Sequence, residues 1–103
     1  MYYTYMLRCE DNSIYTGITN DLKKRFEKHI SGTGAKYTRS HKPKKIIAVF
    51  ESADKSTALR LEYRIKQLSG MQKEMIAEKK SIDILADKLD IQKYRYIGGE
   101  WLE

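Results

Sequence analysis

Residues 2–18 read Tyr2-Tyr3-Thr4-Tyr5-Met6-Leu7-Arg8-Cys9-Glu10-Asp11-Asn12-Ser13-Ile14-Tyr15-Thr16-Gly17-Ile18, two strand-like runs around a polar turn. Residues 2–8 alternate and are rich in Tyr, Thr and Leu, as a half-buried strand requires. Glu10-Asp11-Asn12-Ser13 carries the short polar side chains that hydrogen-bond their own backbone in turns. Ile14-Tyr15-Thr16-Gly17-Ile18 resumes the strand pattern, so the segment reads as a β-hairpin.

Beyond the hairpin, Thr19 or Asn20 offers a capping oxygen and Asp21 suits the positive end of a helix. Leu22, Phe26 and Ile30 then recur at helical spacing, and Ser31-Gly32 stops the helix. Residues 32–45 are rich in Gly, Ser, Thr, Lys and Arg, contain Pro43, and read as a long basic loop. The continuous apolar run over residues 45–51 predicts a buried third strand. Asp54 is placed to cap the next helix, whose apolar face is Ala58, Leu61, Ile65 and Leu68, with Gly70 as its terminator. Residues 71–80 and 81–89 then read as two short amphipathic helices, followed by Tyr94-Arg95-Tyr96-Ile97 and Gly98-Gly99. The expected fold is mixed α/β in the order β-β-α-β-α-α, a small sheet flanked by helices. One domain is expected over residues 1–103, with its core in residues 2–69 and a helical extension over 70–97.

The 103 residues hold 20 Lys and Arg against 14 Asp and Glu, a net charge of +6, with 41% hydrophobic and 11% aromatic residues. That apolar content excludes a disordered chain. The single Cys9 forms no internal disulfide, and no Cys/His spacing suits a structural zinc site, so a reducing compartment, the cytoplasm, is expected. No apolar run reaches the roughly 18–20 residues that span a bilayer, so no membrane is expected. The positive surplus points to a polyanion partner, nucleic acid before membrane. The closing Leu102-Glu103 has the look of a cloning remnant and carries no functional weight.

Arg25 and His29 stand one helical turn apart and project from one face, close in sequence to the strand bearing Tyr15, which pairs with the strand bearing Tyr5. The four polar-tipped residues can therefore converge. Glu62 lies off the stripe of Leu61, Ile65 and Leu68, a lone carboxylate among Arg60, Arg64 and Lys66, as a single phosphate-bound divalent cation uses. Each has an ordinary reading too: strands favour tyrosine, helix faces carry solvated charge, and Glu62 can pair with Lys66 at i,i+4. Those readings explain each residue but not the set. Lys36, Tyr37, Arg39, Lys42 and Lys44, with Lys45, are placed to track a phosphate backbone, Tyr37 being available to stack on a base. His41 reads as an incidental loop residue, Cys9 as a small buried hydrophobe, and Tyr94, Tyr96 and Trp101 as aromatics packing the tail on the domain.

The hairpin with Tyr3-Thr4-Tyr5 and Tyr15-Thr16-Gly17, followed by Arg25, His29 and the distant Glu62, resembles the GIY-YIG nuclease domain, in particular its small single-domain bacterial members. Ser31-Gly32-Thr33-Gly34-Ala35-Lys36-Tyr37-Thr38 and Leu61-Glu62-Tyr63-Arg64-Ile65-Lys66 are similar to that subgroup, and the resemblance runs over residues 2–69. Tyr3 stands where the first Gly would be, Ile18 where some members carry Lys, and no Asn lies near Glu74. The resemblance implies a metal-dependent endonuclease that hydrolyses phosphodiester bonds in DNA with one Mg²⁺ or Mn²⁺ ion. It implies Tyr15 as general base or water-positioning group and Tyr5 as orienting water or phosphate. It implies Arg25 as the phosphoryl clamp, His29 beside the nucleophile and Glu62 as metal ligand. It further implies weak sequence preference, for structures such as flaps or branches, or targeting by a protein partner. The alternative is a non-catalytic DNA- or RNA-binding module using the same basic face.

Overall fold

The computed structural model describes residues 1–99. The hairpin is β1 (Tyr2–Cys9) and β2 (Ile14–Thr19), paired antiparallel with Tyr5 opposite Gly17 and Leu7 opposite Tyr15. The Asp11 carboxylate closes its turn by accepting from the Ser13 N–H at 3.0 Å and the Ser13 hydroxyl at 2.6 Å. Asn12 takes the left-handed conformation there at φ 68°, one of the few side chains that does so at low cost.

Helix α1 (Leu22–Ile30) is capped by the Asp21 carboxylate, which accepts from Lys24 N–H at 3.1 Å. The sequence offers Thr19 or Asn20 as the cap; Thr19 instead takes the Asp21 N–H on its hydroxyl at 3.1 Å. The buried stripe of α1 is Leu22, Phe26 and His29, while Ile30 is exposed. Helical geometry explains that substitution: at about 100° per residue, position 29 returns to within about 20° of Leu22, whereas position 30 is about 80° away. The basic loop is not structureless, because it contains α2 (Lys36–Ser40). Strand β3 (Pro43–Ser52) starts at Pro43 and pairs antiparallel with β1.

Helix α3 (Lys55–Lys66) begins at Asp54, whose carboxylate accepts from Thr57 N–H at 2.8 Å. Gly70 does not terminate α3 but opens α4 (Gly70–Lys79), because Ser69 and Gln72 form a reciprocal capping box that starts a new helix there. The second helix expected over residues 81–89 is a single 3₁₀ turn, Asp83–Leu85, followed by another at Ile91–Lys93. The expected helical extension over 70–97 ends instead in a strand, β4 (Arg95–Gly98), which pairs antiparallel with β3. The sheet thus has four strands in the order β2-β1-β3-β4. Trp101 and Leu102-Glu103 lie outside the described residues.

Strand alternation, shifted by a bulge where β3 passes Ile47, gives the sheet two apolar faces. On one, Tyr5, Leu7, Ile46 and Val49 pack with Leu22 and Phe26 of α1. On the other, Met6, Ile47, Ala48 and Phe50 pack with Leu61 and Ile65 of α3, Ile76 of α4, and Ile82 and Leu85. A bidentate Arg8–Glu74 pair ties β1 to α4, and the Tyr94 hydroxyl donates to the Thr57 carbonyl at 2.7 Å. Cys9 is fully buried, and burial pushes its thiol pKa up. Among the described residues no helix is long and apolar enough to cross a membrane.

Ile76 is 1% exposed, so truncating it leaves a cavity beneath the sheet. Ile76→Ala is expected to cost about 2–5 kcal/mol of unfolding free energy in urea titrations, the range for emptied core sites. A change within about 0.5 kcal/mol, as at surface positions, would show that α4 is not part of the core.

Candidate active site

The site grows from the Tyr5–Gly17 pair. Residues opposite each other in an antiparallel ladder share a face, so Tyr5, Tyr15 and Gly17 point to the same side as α1. A Cβ on Gly17 would lie 2.6 Å from Tyr5 Oη and 3.0 Å from Tyr15 Cε2. Glycine is therefore required for the Tyr5 ring to lie across β2 with Tyr15 beside it, their centroids 6.3 Å apart.

Tyr5 is fully buried, and a buried hydroxyl needs partners on both its proton and its lone pairs. Arg25 Nε–H donates to Tyr5 Oη at 3.2 Å. Because that nitrogen is only a donor, the Tyr5 proton is free to go to His29 Nε2, 2.8 Å away. His29 Nε2 then accepts, which assigns the proton of the neutral ring to Nδ1, and Nδ1–H donates to Thr38 Oγ1 at 2.8 Å. The Thr38 hydroxyl passes its own proton to the Ala35 carbonyl at 3.0 Å. The result is a chain, Arg25 to Tyr5 to His29 to Thr38 to Ala35, in which every proton has one direction. Gly34 lets the loop cross this chain, since a Cβ there would sit 2.5 Å from His29 Nδ1.

The charges follow the same pattern. Burial pushes the Tyr5 pKa up to about 12, with the Tyr15 hydroxyl and Glu62 adding to the rise and Arg25 opposing it. Burial first, and then the Arg25 charge, lower His29 to about 4, consistent with the neutral tautomer. The Tyr5 hydrogen bond, with a smaller contribution from Tyr15, raises the Arg25 pKa and keeps its guanidinium charged.

Tyr15 is half-buried and stands at the centre of an aromatic group: His29 lies edge-on at 5.6 Å and Tyr37 is stacked at 5.8 Å. Tyr37 in turn touches the His41 ring at 4.0 Å, so both Tyr15 and His41 already occupy it. Lys66 Nζ lies 5.9 Å from the Tyr15 ring centroid and 3.5 Å from Glu62 Oε2, which brings the Glu62 carboxylate to the Tyr15 edge of the sheet. The i,i+4 pair of the ordinary reading is therefore formed, with Lys66 largely exposed and the Glu62 side chain 18% exposed. Among the described residues no three of His, Cys, Asp and Glu come together as a metal cage.

Tyr5, Tyr15, Arg25 and Glu62 thus surround one edge, whereas His29, 1% exposed, lies beneath it and touches Tyr5 rather than solvent. Lys36, Tyr37 and Arg39 are on the exposed side of α2, and Lys42 and Lys44 are exposed where the chain enters β3. Thr38, Gly34 and Lys66 were not singled out from the sequence as site residues. The signal for Thr38 and Gly34 is their place just after a helix whose last turn carries His29, and for Lys66 its i,i+4 spacing from Glu62.

The GIY-YIG catalytic domain model matches residues 1–75. The UPF0213 protein FN1575 of Fusobacterium nucleatum is 54% identical over 78 residues, covering 76% of this chain and 78% of that protein. The UPF0213 protein H16_B0156 of Cupriavidus necator is 51% identical over 72 residues, covering 70% and 78%. The solution NMR structure of the UPF0213 protein BH0048 from Bacillus halodurans superposes with a TM-score of 0.52 at 40% identity, over 85% of this chain and 95% of that one. With the family model covering the hairpin, α1, the basic loop and α3 together, this chain belongs to the GIY-YIG family.

Proposed function

We propose that this protein is a divalent-metal-dependent endonuclease that hydrolyses phosphodiester bonds in DNA with weak intrinsic sequence preference. The observation that carries this reading is the convergence of an obligatorily charged guanidinium, two tyrosines of unequal burial and one carboxylate at a single edge of the sheet. Arg25 presents its remaining N–H groups to the phosphoryl oxygens, where negative charge accumulates during in-line displacement. Tyr5, with its pKa at about 12 and its proton committed to His29, stays neutral and fixes the Arg25 side chain. Burial thereby divides the labour of the two tyrosines, leaving the half-buried Tyr15 to take or orient the proton of the attacking water. The bond from that water to phosphorus forms as the bond to the leaving sugar oxygen breaks.

Glu62 fits a Mg²⁺ or Mn²⁺ ion, because such ions are held by one or two carboxylates with water and phosphate oxygens filling the other positions. When bound, the ion supplies positive charge for the developing leaving oxygen. Lys66, largely exposed, is free to swing away from the carboxylate. The Glu62–Lys66 pair also favours a second reading, a nucleic-acid-binding module that needs no metal and does not cleave.

Cleavage assays on linear, flapped and single-stranded DNA with Mg²⁺ or Mn²⁺ separate the two. Glu62→Ala and Tyr15→Phe are expected to lose roughly 10²-fold or more of the cleavage rate while keeping DNA affinity. Arg25→Ala is expected to weaken both. Equal cleavage by all variants would place the activity outside this site, and salt-sensitive binding without cleavage by any would select the binding module.

The buried His29 also gives a signature in stability. Unfolded, it takes a proton near 6.5, whereas folded it resists until about 4. Between these values the unfolded state binds more protons, so stability falls as pH drops through that window and is regained as pH rises above it. Urea unfolding is expected to show the parent losing about 2 kcal/mol more than His29→Gln between pH 7 and 5. Parallel profiles for the two proteins would refute the buried neutral imidazole.

A further inference from the structure

Next to Arg25, on the side of the α1 N-terminus, the surface sinks into an open hollow of about 470 Å³. Lys24, Arg25 and Lys28 of α1 line it, together with Lys55 from the first turn of α3 and Asn20 and Asp21 from the β2–α1 connection. Four cations thus face one carboxylate, and that carboxylate is occupied in capping α1. Elsewhere the cations Arg8, Lys66 and Arg95 are held by carboxylates, but among the described residues Lys24, Lys28 and Lys55 have no such partner. Unpaired ammonium groups from two elements gathered around one concavity repel each other, and a polyanion relieves that repulsion. The mouth is open and the lining mainly charged, which suits a chain passing through rather than an enclosed apolar ligand.

Position identifies the polyanion. Arg25 belongs both to this hollow and to the Tyr5 hydrogen-bond chain, so a phosphate held by Arg25 in the site has the hollow as its immediate neighbour. The loop cations Lys36 and Arg39 lie off the other end of α1, which spans about 13 Å at 1.5 Å per residue. We infer that the Lys24–Lys28–Lys55 hollow is a phosphate-binding subsite that holds the nucleic-acid strand on the α1 N-terminal side of the reacting phosphate. The strand then runs from α2, past Tyr15 and Arg25, into the hollow. This rests on the proposed nucleic-acid function and adds to it a direction for the substrate strand.

The test is DNA binding by the full chain in EDTA, followed by fluorescence anisotropy across a salt titration. Parent protein is compared with Lys24→Gln/Lys28→Gln/Lys55→Gln and with a control of equal charge loss at exposed positions that do not line the hollow, Lys79→Gln/Lys80→Gln/Lys88→Gln. Each phosphate contact on duplex DNA contributes about −0.9 to the slope of log K against log salt. The hollow variant is expected to lose about 2–3 from the magnitude of that slope, while the control keeps the parent slope. An unchanged slope in the hollow variant, or the same loss in both variants, overturns the subsite and leaves the proposed function standing. Failure of the parent itself to bind DNA overturns the proposed function and the subsite with it. Exposed lysines carry little folding energy, and matching urea midpoints will confirm that all three proteins are equally folded.

Discussion

Burying the Tyr5 hydroxyl is the constraint on which the rest of the site depends. An unpaired hydroxyl in the interior costs on the order of 1–3 kcal/mol, and the surrounding structure is arranged so that this one is not unpaired. Gly17 makes room for it, Arg25 satisfies its lone pair, and His29 takes its proton. His29 in turn needs Thr38, and Thr38 can reach it only because Gly34 lets the chain pass close over the imidazole. One polar atom thereby fixes the rotation of α1, the path of the following loop and the start of α2. The basic residues of that loop are exposed, but the backbone that carries them is anchored in the interior.

The same interaction separates two tyrosines that look alike in the chain. Both lie on β-strands of one hairpin and both face α1. Full burial holds Tyr5 neutral and makes it a scaffold for the guanidinium, whereas Tyr15, on the edge strand, keeps partial access to solvent. Position in the sheet, central for β1 and outermost for β2, is what distinguishes them.

Much of this was legible in the residues. The hairpin, the third strand and the helices α1, α3 and α4 follow from alternation, helical spacing and capping chemistry, all of which are local. What was not legible depends on partners distant in sequence. Arg95–Gly98 becomes a strand because the free edge of β3 is available to it, and residues 81–89 need no second helix once Ile82 and Leu85 find the core in a short turn. From its helical spacing to Arg25 alone, His29 is expected as a polar residue facing a ligand. Its burial is decided by the Tyr5 and Thr38 hydroxyls, which together make a polar ring affordable inside. Gly70 opens a helix although glycine ends helices more often than it begins them, because the Ser69–Gln72 box outweighs that preference.

The hydrogen-bonded chain also bears on the order in which the site forms. Its links join residues 24, 20 and 9 apart in sequence, so they close over short loops at small entropic cost. The carboxylate of Glu62 reaches the same edge only through α3, after β3 has crossed the sheet beside β1. The half of the site that carries Arg25 and the tyrosines is therefore the low-contact-order half, and the half that carries Glu62 is assembled over a longer loop. On loop-closure entropy, bringing the guanidinium and tyrosines into register costs less than bringing in the lone carboxylate.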